Sequence, residues 1–195
     1  MDPRINLYDE PTRGGRILKE VIIYLICAAA AVLLAFLAVR FCLVKISVSG
    51  HSMENTLMQG DEIIVNKVSY FISKPKQGDV IVFRQGQAEH NYYNIKRVIG
   101  VPGDTVVIQD GLVYVNGDPY VEEIPAEELN TPGLAGVPVI LEDNEYFVLG
   151  DNRNNSEDSR FANVGLVLKS EIVGKAWIRV KPEFDFVSKL NLLKD

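Results

Sequence analysis

Residues Val21 to Val39 read VIIYLICAAAAVLLAFLAV, a run without a single charge. As a helix rising about 1.5 Å per residue it is roughly 28 Å long, the hydrocarbon thickness of a bilayer. A helix buried in a soluble core keeps a polar face, and this one has none. A cleaved leader has a shorter apolar centre and a small-residue exit, whereas here Arg40 and Phe41 follow a long one. The run therefore predicts a retained transmembrane helix over 21–40. Arg4, Arg13, Arg16 and Lys19 precede it, and Arg40 and Lys45 follow. The excess of positive charge on the N-terminal side predicts a single-pass cell-membrane protein with a cytoplasmic N-terminus. Residues 1–20 read as a polar tail, with Pro11 and the Gly14-Gly15 pair breaking regular structure. Residues 41–195 then form the extracytoplasmic domain.

What that domain can be is narrowed by what it lacks. The chain has 195 residues, 47% of them hydrophobic, a formal net charge of −6 and a pI near 5.0. One compact domain with a real core fits that length, and the acidic balance excludes a nucleic-acid partner. Cys27 and Cys42 are the only cysteines, and one helix would hold them roughly 22 Å apart, too far for a bridge. No thiol nucleophile or cysteine zinc site remains after residue 42. With His51 and His90 as the only histidines, a multi-histidine metal centre is not expected, and no metal or cofactor is called for. His51 also adjoins Ser52, and neighbours on an extended chain point apart. His90 falls in the polar run 85–91, read as a loop.

From Val44 onward the pattern is strand-like. Apolar, β-branched runs occur at 44–48, 62–68, 79–84, 92–99, 105–109, 112–116, 145–149 and 172–180. Asp110-Gly111 between two of them predicts a tight hairpin turn. Residues 122–138 are acidic and proline-rich, part of a small excursion around 105–145. The fold class expected is mainly β: an antiparallel, barrel-like sheet domain on one N-terminal helix.

Three stretches can carry chemistry. Ser49-Gly50-His51-Ser52-Met53-Glu54-Asn55-Thr56-Leu57 follows the first strand, and Gly50 reads as letting another chain approach closely. A serine hydroxyl needs a base to take its proton, and without a usable histidine a neutral lysine can serve. Lys96, in Ile95-Lys96-Arg97-Val98-Ile99, is the lysine embedded in an apolar run. Turned inward it is desolvated, with Arg97 as a cationic neighbour, and both depress its pKa. Turned outward it is an ordinary strand lysine. Gly150 to Arg160 reads GDNRNNSEDSR. This polar loop can offer a hydroxyl to a lysine amine and an Asp158–Arg160 ion pair, or simply be solvated.

Taken together, Gly50-x-Ser52-Met53-x-x-Thr56-Leu57 with Gly60-Asp61 and Val65-Asn66-Lys67, then Lys96-Arg97-Val98-Ile99-Gly100-Val101-Pro102-Gly103-Asp104, then Gly150-Asp151-Asn152-Arg153-Asn154-Asn155-Ser156-x-Asp158-Ser159-Arg160, resemble the boxes of bacterial type I signal peptidases. The single span and short excursion resemble the short, Gram-positive-like branch. The resemblance implies a membrane-bound serine endopeptidase with a Ser-Lys dyad. Such an enzyme cleaves signal peptides from secretory preproteins after small residues, at sites of the Ala-x-Ala type. It works at the lipid bilayer beside the general secretion machinery and uses no metal or cofactor. It implies Ser52 as nucleophile, Lys96 as general base and Ser156 as hydrogen-bond partner of the amine. Gly150, Asp151, Asp158, Arg160 and Arg97 would support the site, and Met53, Leu57 and Ile95 would line the pocket for the residue before the cut. Asn55 stands where the family usually has proline, which is expected to loosen the turn. A specialised Ser-Lys peptidase for a client such as a pilin, and an inactive tethered β-domain that binds exported chains, are the alternatives.

Overall fold

The computed structural model describes residues 13–84, 92–121 and 127–189. His90, with the rest of the run 85–91, and the first part of the acidic excursion, 122–126, lie outside the described residues. The chain falls into two compact units, 1–41 and 42–195.

The first unit is built on α1, Arg13–Cys42. It begins well before the expected boundary and runs through Gly14 and Gly15. Each helical glycine costs about 1 kcal/mol relative to alanine, but a helix already nucleated by the long apolar run propagates through them. Among the described residues this is the one helix long and apolar enough to cross a membrane, and nothing in its apolar stretch is buried by protein.

The second unit is a pair of antiparallel sheets. Its strands are β1 (Leu43–Ser47), β2 (Glu62–Asn66), β3 (Val80–Phe83) and β4 (Asn94–Gly100). Then come β5 (Thr105–Gln109), β6 (Leu112–Val115), β7 (Asp118–Pro119) and β8 (Val139–Ile140). The chain closes with β9 (Glu145–Leu149), β10 (Val167–Leu168), β11 (Ile172–Lys181) and β12 (Asp185–Phe186). The larger sheet runs β1-β2-β11-β3-β4-β9-β10, with β12 paired to β11; the smaller runs β7-β6-β5-β8. Register shifts along β11, opposite both β2 and β3, bend and twist the larger sheet, as bulges do. The β5–β6 hairpin turns on Asp110 and Gly111, both at positive φ (50° and 76°), as the Asp-Gly pair predicts.

The strands adjoining the candidate site are buried on both faces. Every residue of β3 is buried, and so is β4 from Ile95 to Gly100. One core cluster joins Met53, Leu57, Ile63, Val65 and Ile95. Another joins Ile99, Phe147 and Leu149 to Val106, Ile108 and Leu141 of the smaller-sheet region. The excursion is therefore no free flap. From Leu129 to Ala135 it contributes buried side chains to that second cluster.

Candidate active site

Ser52 sits in the turn after β1, half-buried, between exposed His51 and buried Met53. Gly50 and Asn55 bracket it at φ of 89° and 84°. A Cβ on Gly50 would meet nothing within 4 Å. The glycine supplies the left-handed backbone that this turn requires. Asn55 corrects an expectation. Proline holds φ near −65°, so this turn has no vacant proline geometry. Asparagine is among the few residues that tolerate the left-handed region.

The polar loop Gly150–Arg160 closes over this turn. Asn152 donates its backbone N–H to the Ser52 carbonyl at 3.1 Å, and its side-chain amide to the His51 carbonyl and Glu54 carboxylate at 3.1 and 3.0 Å. Arg97 on β4 donates from Nε and Nη2 to the two Asp151 oxygens, both at 2.7 Å, and from Nη1 to the Gly78 carbonyl at 2.9 Å. Thr56 donates to Asp151 and accepts from Arg97. Thr56, Arg97 and Asp151 are all buried, so the three motif segments meet in one buried polar knot.

A second knot fixes the loop itself. The expected Asp158–Arg160 pair is present, with Arg160 Nε and Nη2 donating at 2.8 and 2.9 Å. Asp158 also accepts the Gly150 N–H at 3.1 Å, and Arg160 reaches the carbonyls of Arg153 and Thr131. Ser159 returns the loop to β9 by pairing with both backbone groups of Val148. Arg153 caps the Gly150 carbonyl at 3.2 Å.

Gly150 is the point of closest packing. A Cβ there would lie 2.2 Å from Ser156 Oγ and 2.5 Å from the Ser52 carbonyl oxygen. Absence of a side chain at 150 thus brings Ser156 up to the main chain of Ser52. Ser156 Oγ is buried and makes no hydrogen bond, so the bond to a lysine amine that the family resemblance implies is not made in this structure.

Lys96 lies on β4 opposite Ile81 of β3, only 5% exposed. Burial lowers its pKa from 10.5 to about 8, against the opposing pull of Asp158, Glu157 and Asp151, with Arg160 adding to the depression. Arg160, itself paired with Asp158, is the cation that adds to the depression, a neighbour that only the fold brings close. Met53, Leu57 and Ile95 share one core cluster. Leu57 has no accessible surface, Met53 is 2% exposed and Ile95 keeps 8%. Among the described residues no group of His, Cys, Asp and Glu side chains is arranged to hold a metal ion.

Sequence reasoning did not assign roles to Thr56 and Asn152. The signal for Thr56 was available, because it is part of the Gly50-x-Ser52-Met53-x-x-Thr56-Leu57 pattern. Asn152 had none, because its partners, two main-chain carbonyls and the Glu54 carboxylate, lie about a hundred residues away.

The model of a family described as signal peptidase, peptidase S26, matches residues 19–181. The probable signal peptidase I-2 of Synechocystis is 40% identical over 152 residues, covering 74% of this chain and 64% of that protein. Signal peptidase IB of Staphylococcus aureus is 33% identical over 190 residues, 89% of this chain and 96% of that one. Signal peptidase I T of Bacillus subtilis is 40% identical over 152 residues, 74% and 77% of the two chains.

Proposed function

The chain belongs to the signal peptidase I family, peptidase S26, and from that premise we propose that Ser52 and Lys96 form the dyad with which it removes signal peptides from secretory preproteins. The observation that carries this reading is the buried Lys96 amine. With a pKa near 8 it is partly neutral at physiological pH, and only a neutral amine can take a proton.

Lys96 accepts the Ser52 hydroxyl proton as Oγ attacks the carbonyl carbon of the scissile bond. The tetrahedral oxyanion is met by the Ser52 backbone N–H. Lys96, now charged, returns the proton to the departing amine. A water molecule, deprotonated in turn by Lys96, releases the signal peptide from the acyl-enzyme. Ser156 Oγ, buried and unpaired, accepts a hydrogen bond from the amine and fixes its direction. The wall of Met53, Leu57 and Ile95 admits alanine before the cut and rejects larger side chains by overlap.

In the same reading α1 spans the bilayer with its N-terminus in the cytoplasm. The enzyme then shares a membrane with the apolar segment of its substrate, which reduces the search to two dimensions. Ser52→Ala and Lys96→Ala are each expected to abolish cleavage of a preprotein with an Ala-x-Ala site in detergent while the folded domain persists. Retained cleavage by either folded variant removes that residue from the dyad. Cleavage of preproteins of one class alone, such as pilins, by the wild-type enzyme would instead favour a specialised client.

A further inference from the structure

Between β2 and β3 the chain makes a single helical turn, α2, Ser69–Ile72. Its two large apolar side chains do not pack. Phe71 is 88% exposed and Ile72 is 87% exposed, while Tyr70 beside them turns inward, packs against the core and donates to Asp79 at 3.1 Å. This display is held in place. Asn66 Oδ1 accepts the N–H groups of Val68 and Ser69, Phe71 N–H reaches the Val68 carbonyl, and Ser73 caps the Ser69 carbonyl through both its N–H and its hydroxyl. A rigid turn offering two adjacent bulky apolar groups to solvent marks a surface that something else covers.

Two observations say what covers it. The N–H of Lys67 donates at 2.9 Å to the carbonyl of Cys42, and Asn66 pairs with Leu43. Cys42 is where the apolar helix ends. Phe71 is four residues beyond Lys67, within roughly 14 Å of it at the maximum reach of the chain. The charges agree. Residues 66–78 contain Lys67, Lys74 and Lys76 and no acidic residue, whereas residues 98–152, which include the whole smaller sheet, contain acidic residues and no Lys, Arg or His. An anionic bilayer surface attracts the first and repels the second.

The geometry points to α2 as a lipid wedge, with Phe71 and Ile72 inserted at the acyl boundary and Lys67, Lys74 and Lys76 on anionic headgroups. This inference rests on the reading of α1 as a bilayer-spanning helix, and it adds a second contact that sets how the catalytic unit stands on the membrane.

The test uses the full-length protein carrying Trp177→Phe and Phe71→Trp, reconstituted into phosphatidylcholine vesicles with or without phosphatidylglycerol. Flotation reads the anchor, and the introduced indole reads the wedge. The expected result is co-flotation with an indole that acyl-chain bromines quench and aqueous iodide does not. Quenching should be deeper with phosphatidylglycerol and shallower when Lys67, Lys74 and Lys76 become Gln. A floating protein whose indole is quenched by iodide and untouched by bromines overturns the wedge and leaves the anchor standing. An indole shielded from both quenchers, with an intermolecular cross-link from Ile72→Cys, assigns the surface to a second copy and also overturns it. A protein that does not float removes both readings. Cleavage activity in detergent confirms that the variants are folded.

Discussion

Arg97 and Asp151 face each other in a two-pronged pair, Nε to one carboxylate oxygen and Nη2 to the other, each at 2.7 Å and both side chains nearly without solvent. This pair ties the strand that carries Lys96 to the loop that carries Ser156. Removing one member leaves an uncompensated buried charge, which costs about 3–5 kcal/mol. Asp151→Ala is therefore expected to lower unfolding stability by that order in denaturant titrations. Arg97→Lys keeps the charge but cannot supply the parallel fork. It should lose activity beyond its loss of stability, and equal losses from both variants would place the pair in folding alone.

Lys96 makes stability and activity depend on pH in a linked way. Its folded pKa, about 8, lies below the unfolded value of 10.5. Between those values the unfolded chain binds more proton, so stability rises with pH across that window, by about 3 kcal/mol at most. Below pH 8 the full cost of the buried amine is present. Lys96→Met should flatten the rise and stabilise the protein at pH 7, read by urea unfolding from pH 7 to 10. For the wild-type enzyme kcat/KM should climb about tenfold per pH unit below pH 8 and then level off. A rate still climbing at pH 10 would mean that the amine is not depressed.

How much of this was legible beforehand differs between elements. Alternation and β-branching marked the long strands, and Asp110-Gly111 marked its hairpin, because those signals are local. The two-residue strands β7, β8, β10 and β12 carry no period to read; they are strands only because a neighbour pairs with them. The start of α1 was misplaced because Gly14-Gly15 was read for its propensity, without the cooperative run behind it. In the site, the polar loop's own residues suggested the Asp158–Arg160 pair, and the family pattern supplied the proposal for Ser52, Lys96 and Ser156. The reason for Gly50, the conformation of Asn55 and the role of Arg160 beside Lys96 depend on φ angles and contacts across the fold, which no local pattern encodes.

Gly150→Ala tests the closest packing in the site. The added methyl would overlap Ser156 Oγ and the Ser52 carbonyl oxygen at 2.2 and 2.5 Å, and one of those neighbours is backbone, which cannot swing aside. The Ser156 hydroxyl or the Ser52 turn must move. An ångström of displacement at reacting groups costs about a hundredfold in rate. Overpacking costs about 1–3 kcal/mol in stability. We expect kcat to fall by about that factor with a modest loss in Tm. Normal kcat with normal stability would show that the loop relaxes freely and that Gly150 does not set the approach.

Asn55 offers a prediction opposite to what the sequence pattern suggests. Introducing the proline that the family resemblance implies should, on pattern alone, tighten the turn that carries Ser52. In this structure position 55 has φ of 84°, which the pyrrolidine ring cannot reach. Asn55→Pro must therefore rebuild the turn. Glycine reaches that φ without strain and loses only the restraint that asparagine places on the unfolded chain. The order expected in thermal unfolding and in cleavage assays is Asn55 ≈ Asn55→Gly above Asn55→Pro, with the proline variant less stable by at least about 1 kcal/mol, the scale of one incompatible backbone conformation. Thr56, the next residue, donates to Asp151, so a rebuilt turn also pulls on the Arg97 pair. Asn55→Pro should consequently lower activity even where the protein is still folded. A proline variant that is more stable and fully active would show that the turn takes the right-handed path in solution, and that the left-handed Asn55 is not what positions Ser52.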